Sequence, residues 1–346
     1  MTFHRPRPLL RSETVSVVIP CYRYGHFLRT AVGSVLDQRG VDVEVIVIDD
    51  ASDDDSATVV RALAKSDKRV RAIVHETNAG HIATYNEGLA EARGDYIVLL
   101  SADDAISEGS LERAVSLMQH HPRVGMVYGH AEDFADELPR FETGERSWSS
   151  WSGRRWLADM ASRAVNPVYT PSVVMRGEAW RAIGRYDGRV PHAADMLLWF
   201  QTAVDWDIGR VNNLAQAYYR RHGSNMHLTQ FSGMLRDLRE QREVFRILFE
   251  EPATGTRPPA ALRTAAHRAL IRRGRRLALA EDRPGGDPAA AAAYRQFADE
   301  TSGLLDGAEP PSRQTMSDRF LESRLGTFPR RALTHLEWRR WRRYGV

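Results

Sequence analysis

The chain has one cysteine, two lysines and no apolar stretch of membrane-spanning length, and each scarcity excludes something. The single thiol, Cys21, can close no internal disulfide and cannot build a zinc site from several cysteines; it fits a reducing compartment. The longest apolar runs resemble Tyr96-Ile97-Val98-Leu99-Leu100, far short of the ~20 residues that cross a bilayer. The segment Met1 to Leu10 is basic but lacks the roughly 7–15-residue apolar core of a secretory signal, so a cytoplasmic protein is expected. Lysine occurs only at Lys65 and Lys68 in a total of 48 basic side chains, a preference for arginine that reads as coding bias. The net charge of +3 is too small to imply a nucleic-acid partner, and none is expected. With 346 residues, 42% hydrophobic and 27% charged, the composition is that of a globular protein of one or two domains. Charge is uneven: residues 231–346 hold 22 arginines against 15 acids, or +7, which leaves −4 for the first 230.

The first 130 residues alternate between two patterns. Short runs rich in valine and isoleucine, at about 15–20, 43–48, 70–74, 96–100 and 124–128, read as buried strands. Between them lie stretches with apolar residues at helical spacing, such as Phe27, Leu28, Ala31, Val32, Val35 and Leu36. Such alternation implies a mostly parallel sheet flanked by helices, with ligands beyond the carboxyl ends of the strands. Residues 131–230 are less regular, broken by Pro167, Pro171 and Pro191, and hold six of the eight tryptophans. From about 233 onward the pattern is helical, over 234–249, 260–280 and 289–305.

Two pairs of adjacent acids follow strands, Asp49-Asp50 and Asp103-Asp104. Neighbouring carboxylates repel unless a cation or donor separates them, and Mg²⁺ or Mn²⁺ with substrate phosphates would do so. The plainer alternatives are a turn at Asp49-Asp50 and a helix N-cap at Asp103-Asp104. No glycine fingerprint follows the first strand and there is no P-loop, so phosphate would be gripped through a metal.

The segment Val15-Ser16-Val17-Val18-Ile19-Pro20-Cys21-Tyr22-Arg23 resembles the opening strand of family 2 glycosyltransferases of the GT-A fold. Four more segments keep that family's order: Val45 to Ser52, Asn78-Ala79-Gly80 with Asn86, Gly94 to Asp104, and Gly184-Arg185-Tyr186-Asp187 followed by Asp195. The likeness covers roughly residues 14 to 225. It implies an α/β GT-A domain over 1–230, with a nucleotide-sugar half at about 14–110 and an acceptor half at 111–230, and a helical C-terminal region over 231–346. It implies a metal-dependent, inverting transfer from a nucleoside-diphosphate sugar, a UDP-sugar first, to a hydroxyl of a saccharide, lipid, peptide or natural product. Pro20 and Tyr22 would border the base, and Asp50 would hydrogen-bond it. Asn78 and Gly80 would shape the pocket. Asp103 would hold the ribose or the metal, and Asp104 would ligate Mn²⁺ or Mg²⁺. Asp195 would be the general base, and His222, in Arg220-Arg221-His222-Gly223-Ser224-Asn225, would approach the metal or diphosphate.

The sequence departs from the pattern at three places. Ser101 replaces the first acid of the usual Asp-Ala-Asp-Asp, Arg23 stands where asparagine is common, and Ala194 precedes Asp195 where glutamate is usual. Two rival functions share these features: a nucleotide-sugar-binding protein without catalysis, and a sugar nucleotidyltransferase. Trp148, Trp151 and Trp156, set among serines and arginines, suggest an acceptor-side loop. Trp338, Trp341 and Tyr344 share a basic helical face that would pack, form a homodimer through the C-terminal helices, or touch an anionic membrane as a peripheral contact.

Overall fold

The structure is a computed structural model and describes residues 1–139, 147–223 and 233–305. The aromatic C-terminal segment, together with Ser224 and Asn225, lies outside them. Two compact units are present, Met1–Asp159 with Val168–Pro259, and Met160–Pro167 with the chain from Ala260 onward.

The first unit is organised by one mixed sheet of ten strands. Its parallel block is the one expected from the alternating runs. It consists of β2 (Thr14–Cys21), β3 (Asp42–Asp49), β4 (Val70–Val74) and β5 (Tyr96–Leu99), in the order β4-β3-β2-β5. Register sets Cys21 opposite Asp49 and Val18 opposite Leu99, so the carboxyl ends of three strands form one rim. The interior positions of β2 are fully buried because helices cover both faces, which is why these strands read as continuous apolar runs. Helix α1 (Gly25–Leu36) packs Leu28, Ala31, Val32 and Val35 inward, each worth about 1.5–3 kcal/mol of apolar burial for the larger side chains. Helix α2 (Ser56–Ser66) follows β3, and α3 (His81–Glu91) follows β4. Gly88 lets α3 lie close on the sheet, since a Cβ there would stand 2.4 Å from Ile48 Cδ1 and Val18 Cγ1.

Beyond β5 the sheet becomes mixed, with antiparallel pairings around one long parallel pair. β9 (Val174–Arg176) joins β5 to β7 (Val124–Phe134), and β10 (Asp207–Arg220) runs parallel to β7. β8 (Ser147–Trp151) and β1 (Thr2–His4) complete that edge, and β6 (Ala105–Ile106) pairs with β10. The middle of the chain therefore mixes sheet and helix: Trp148 and Trp151 are buried on β8, and Trp156 is buried on the helix that follows it, Gly153–Ala161. The suggestion of an acceptor-side tryptophan loop is corrected on that ground: the serines of β8 face polar partners in the core, Asn212 donating to Ser149 and Ser147. Helix α4 (Ser110–His120) packs on this half and is strapped by the N-terminal segment, Ser116 donating to Arg7 O and Gln119 to Arg11 O. Helices α5 (Gly153–Ala161), α6 (Gly177–Ile183), α7 (Ala194–Asp205) and α8 (Met234–Glu250) follow in order.

In the second unit, α9 (Ala260–Glu281) packs on α10 (Pro288–Ser302). Asp287 caps α10, its side chain accepting from Ala289 N at 2.9 Å with Pro288 at the first position. Tyr294, Phe297, Ala298 and Thr301 form its buried stripe, and Arg272 and Arg273 donate to Ser162 O and Ala164 O. Among the described residues no helix is long and apolar enough to cross a membrane.

Candidate active site

The rim of the parallel block brings the sequence-selected residues to one edge, and it treats its two acidic pairs differently. Asp50, just past β3, is buried and accepts hydrogen bonds from Ala79 N at 2.7 Å, Gly80 N at 3.0 Å and His75 Nδ1 at 2.8 Å. Asn78 donates from its side chain to Asp50 O at 2.9 Å, so the 78–80 turn is fastened at both ends. Gly80 has φ +83° and opens α3, a conformation that glycine adopts at no steric cost. Burial pushes the Asp50 carboxyl up, but the donors at Ala79, His75, Gly80 and Thr84 outweigh it and hold it below the ordinary range. Asp49 lies beside it, fully buried, with one oxygen accepting from Ser52 N at 3.2 Å. Pro20 is half-buried at the end of β2, and Tyr22 is 41% exposed just past it. Arg23, which takes the place of the family's asparagine, has φ +59°, lies over the Tyr22 ring at 5.1 Å and forms a bidentate pair with Asp53.

Asp103 and Asp104 are buried too. Neither caps a helix: β6 intervenes, and α4 begins at Ser110 after Gly109. Arg220, at the end of β10, organises the pair. Its N–H donates to Asp104 Oδ1 at 3.0 Å, its Nε to Asp103 O at 2.9 Å, and a terminal nitrogen to Ala135 O at 2.6 Å. Its guanidinium is sandwiched between the rings of Phe27 and Phe134, at 4.4 and 4.3 Å. His222 Nε2 meets Asp103 Oδ2 at 3.0 Å, and its ring packs edge-on to Tyr24. Burial, then the charge of Asp103, pushes the Asp104 carboxyl well up, and Arg220 only partly opposes this. Among the described residues no three of His, Cys, Asp or Glu are grouped as a metal-ligand set. The donor chemistry fits a hard cation nonetheless, because Mg²⁺ and Mn²⁺ need only one or two protein carboxylates when phosphate supplies the rest. Burial and Asp103 disfavour ionised Asp104 when no cation is beside it, and a bound cation would offset both.

Asp195 stands in the first turn of α7, where the helix dipole favours an anion. Its oxygens accept from Met196 N at 2.6 Å and from Thr170 Oγ1 at 3.4 Å. Asp187, the alternative base in the same motif, is committed to Arg189 through three side-chain hydrogen bonds, which hold its carboxyl low. Asn86 clamps the segment before it, donating to Tyr186 O at 3.0 Å and accepting from Tyr186 N at 2.8 Å. Tyr85 on α3 lies within electrostatic reach of three of these acids. Burial raises its phenol far above the ordinary value, and the charges of Asp103, Asp195 and Asp104 all add to the effect. Tyr186 is likewise raised by burial, then by Asp195.

Sequence reasoning missed Tyr85, His75 and the part played by Arg220. Tyr85 precedes Asn86, which was selected, and Arg220 opens the motif that ends in Asn225, so both signals were adjacent to residues already chosen. His75 carries no spacing signal, because its partners come from other elements.

Residues 16–171 match the family described as "Glycosyl transferase family 2". An uncharacterized glycosyltransferase of Nostoc sp. is 27% identical over 236 residues, covering 63% of this chain and 68% of that protein. The glycosyltransferase GlyG of Streptococcus pneumoniae is 32% identical over 124 residues, 35% of this chain, and the match spans only 41% of GlyG. Among solved structures, TarS 1-349 of S. aureus in complex with UDP-GlcNAc superposes with a TM-score of 0.61 at 16% identity, over 84% of this chain and 83% of that one. The mannosyltransferase PcManGT of Pyrobaculum calidifontis, in complex with GDP-Man and Mn²⁺, gives 0.53 at 16% identity, over 97% and 85%. At such identities the likeness is one of fold, the α/β GT-A architecture.

Proposed function

We propose, for a chain that belongs to the family 2 glycosyltransferases, a metal-dependent and inverting transfer of a glycosyl group from a nucleoside-diphosphate sugar to an acceptor hydroxyl. The observation that carries this reading is the buried pair Asp103-Asp104 at the strand rim, held by Arg220 and met by His222, in a chain whose residues 16–171 match the family. The reaction requires acids to anchor the diphosphate end through a cation and one further carboxylate, here Asp195, to accept a proton. The neighbours' ligands, UDP-GlcNAc in TarS and GDP-Man in PcManGT, make a uridine nucleotide the first expectation and a guanosine nucleotide the second.

Pro20 and Tyr22 border the base, and the 78–80 turn with Asn78 and Gly80 walls it. A carboxylate offers about four acceptor positions, and those of Asp50 meet Ala79, Gly80, His75 and Thr84. Thr84 is the exchangeable partner: its single hydroxyl hydrogen can be given to Gly80 O at 3.0 Å instead, which leaves an acceptor position on Asp50 for a base N–H. Asp104, with Asp103 and His222 beside it, holds Mn²⁺ or Mg²⁺; when bound, the cation supplies Lewis-acid stabilisation of the leaving diphosphate. Asp195 takes the acceptor's proton as the acceptor oxygen bonds to the anomeric carbon and the bond to the diphosphate oxygen breaks. One carboxylate base acting opposite the leaving group gives inversion. The acceptor is a saccharide, lipid, peptide or small natural product, and the buried single thiol suits a cytoplasmic setting.

The test joins binding to chemistry. UDP-, GDP- and dTDP-sugars are titrated with Mn²⁺, and slow hydrolysis of the tightest donor is followed in the wild type and in Asp195→Asn. The expected result is a loss of at least ~10²-fold in turnover with nucleotide affinity intact. Near-normal turnover would remove Asp195 from its role, and absence of binding by every donor would remove the reading itself.

A further inference from the structure

We propose that His75 is a positioning residue for the nucleotide site, a doubly protonated bridge that locks α3 to the Asp50 cradle and so makes donor affinity fall as pH rises. The inference rests on reading the 78–80 turn as part of the nucleotide pocket.

His75 follows β4 directly, and its backbone N–H donates to Asp49 O at 2.9 Å, which fixes the origin of the side chain. The ring lies between two acids from different elements. Nδ1 is 2.8 Å from Asp50 Oδ1, and Nε2 is 2.8 Å from Glu87 Oε2 on α3. The His75 side chain is 12% exposed and its Asp50 partner 5%, so water does not readily replace that contact, while Glu87 is 47% exposed. A neutral imidazole has one donor and one acceptor, whereas both partners here are carboxylates that only accept. Both contacts are satisfied together only by the imidazolium. When the proton leaves, one ring nitrogen turns a lone pair toward a carboxylate and that tie opens.

Those ties bear on the pocket. Asp50 holds Ala79 N and Gly80 N, and Gly80 is the residue from which α3 begins. Glu87 lies on the same helix as Thr84, Tyr85 and Asn86, so the bridge joins the strand-end acid to the helix that carries the site's other contacts. The charged groups facing the ring are Asp50, from the end of β3, and Glu87, from α3. Burial lowers the proton affinity of the ring, but these two acids outweigh it and leave His75 above the ordinary histidine value. The sign follows: the bridge is complete below the ordinary value of 6.5 and is lost as pH rises through the raised one.

The experiment titrates UDP and GDP, with Mg²⁺ present, from about pH 5.5 to about pH 8.5 into wild type, His75→Asn and Glu87→Gln, with donor turnover at saturation alongside. The wild type should lose affinity by about fivefold across the range, with turnover at saturating donor following a different profile. His75→Asn, whose amide carries no titrating proton, should lack the fall in affinity that His75 contributes and keep only the dependence set by Asp104 and the nucleotide's own phosphate. Glu87→Gln removes one of the two charges at a half-exposed surface position and should move the midpoint to lower pH. Thermal melts of both variants establish that they fold. An unchanged pH slope in His75→Asn, or an unmoved midpoint in Glu87→Gln, overturns the inference while leaving the nucleotide site in place. Failure of both nucleotides to bind the wild type at any pH overturns the site reading and the inference together.

Discussion

Asp49-Asp50 and Asp103-Asp104 look alike in sequence, two adjacent acids closing a buried strand, yet the fold puts them to opposite uses. Asp50 is met by two backbone N–H groups and a histidine, and its carboxyl is held low. Asp104 receives the N–H of Arg220, sits against the charge of Asp103, and its carboxyl is driven up. The first acid is stabilised by its surroundings and shapes a turn while keeping its charge. The second is destabilised by its surroundings, and a cation beside it would relieve that. Adjacent carboxylates at a strand end can thus serve as a fixed acceptor where the fold surrounds them with donors, and as a candidate cation ligand where it leaves them short of donors.

Substitutions can break or sharpen this contrast. The largest effect is expected at Asp104→Asn, where metal-dependent nucleotide binding should weaken on the order of 10²-fold by titration with Mn²⁺. The same variant should melt higher than wild type in chelator, because it removes a carboxylate whose ionisation opposes folding while keeping an acceptor for Arg220 N. Asp50→Asn should do the reverse, costing about 1–3 kcal/mol in denaturant unfolding, since the amide cannot serve all the buried donors.

The pH dependence of the metal-free wild type follows from the same two groups. Asp50, held low, contributes stability above the ordinary carboxylate value of 3.8 and loses it as pH falls through its lower folded value. Asp104, held high, costs stability at neutral pH, and that cost is relieved as pH falls through its raised value. Mild acidification should therefore raise the melting temperature of the wild type in chelator, and Asp104→Asn should lose the part due to Asp104 while keeping the part due to the His75 bridge. Arg220→Lys keeps the charge but loses the planar fork between Phe27 and Phe134, and should cost about 1–2 kcal/mol in the same unfolding assay. His222→Gln, which retains a donor toward Asp103, should have the smallest effect, within about 1 kcal/mol.

The parallel block was legible because its strands are buried on both faces and its helices carry unmixed stripes, as at Leu28, Ala31, Val32 and Val35. The antiparallel half was not. β8 reads Ser-Trp-Ser-Ser-Trp, and its Ser149 is as buried as an apolar residue because Asn212 satisfies it. β10 carries register shifts, and Asn213 in it has φ +64°, so no period of two survives along it. β6 is two residues long, too short for any pattern. The acids of the site were found because strand ends are where such sheets place ligands. Arg220 and His75 escaped because their meaning lies in contacts 117 and 25 residues away along the chain.

The lone thiol has a use that its chemistry conceals. Cys21 sits opposite Asp49 at the end of β2, is buried, and is pushed up to about 11 by burial first, with Asp49 and Asp54 adding to the effect. Folded, it is almost wholly in the unreactive thiol form and out of reach of an alkylating reagent. Labelling must then wait for the strand end to part from the start of α1, so its rate measures how often that rim opens. A nucleotide seated on Tyr22, the next residue but one-sided to solvent, should slow the labelling in proportion to its occupancy, giving a readout of ligand binding that needs neither acceptor nor turnover.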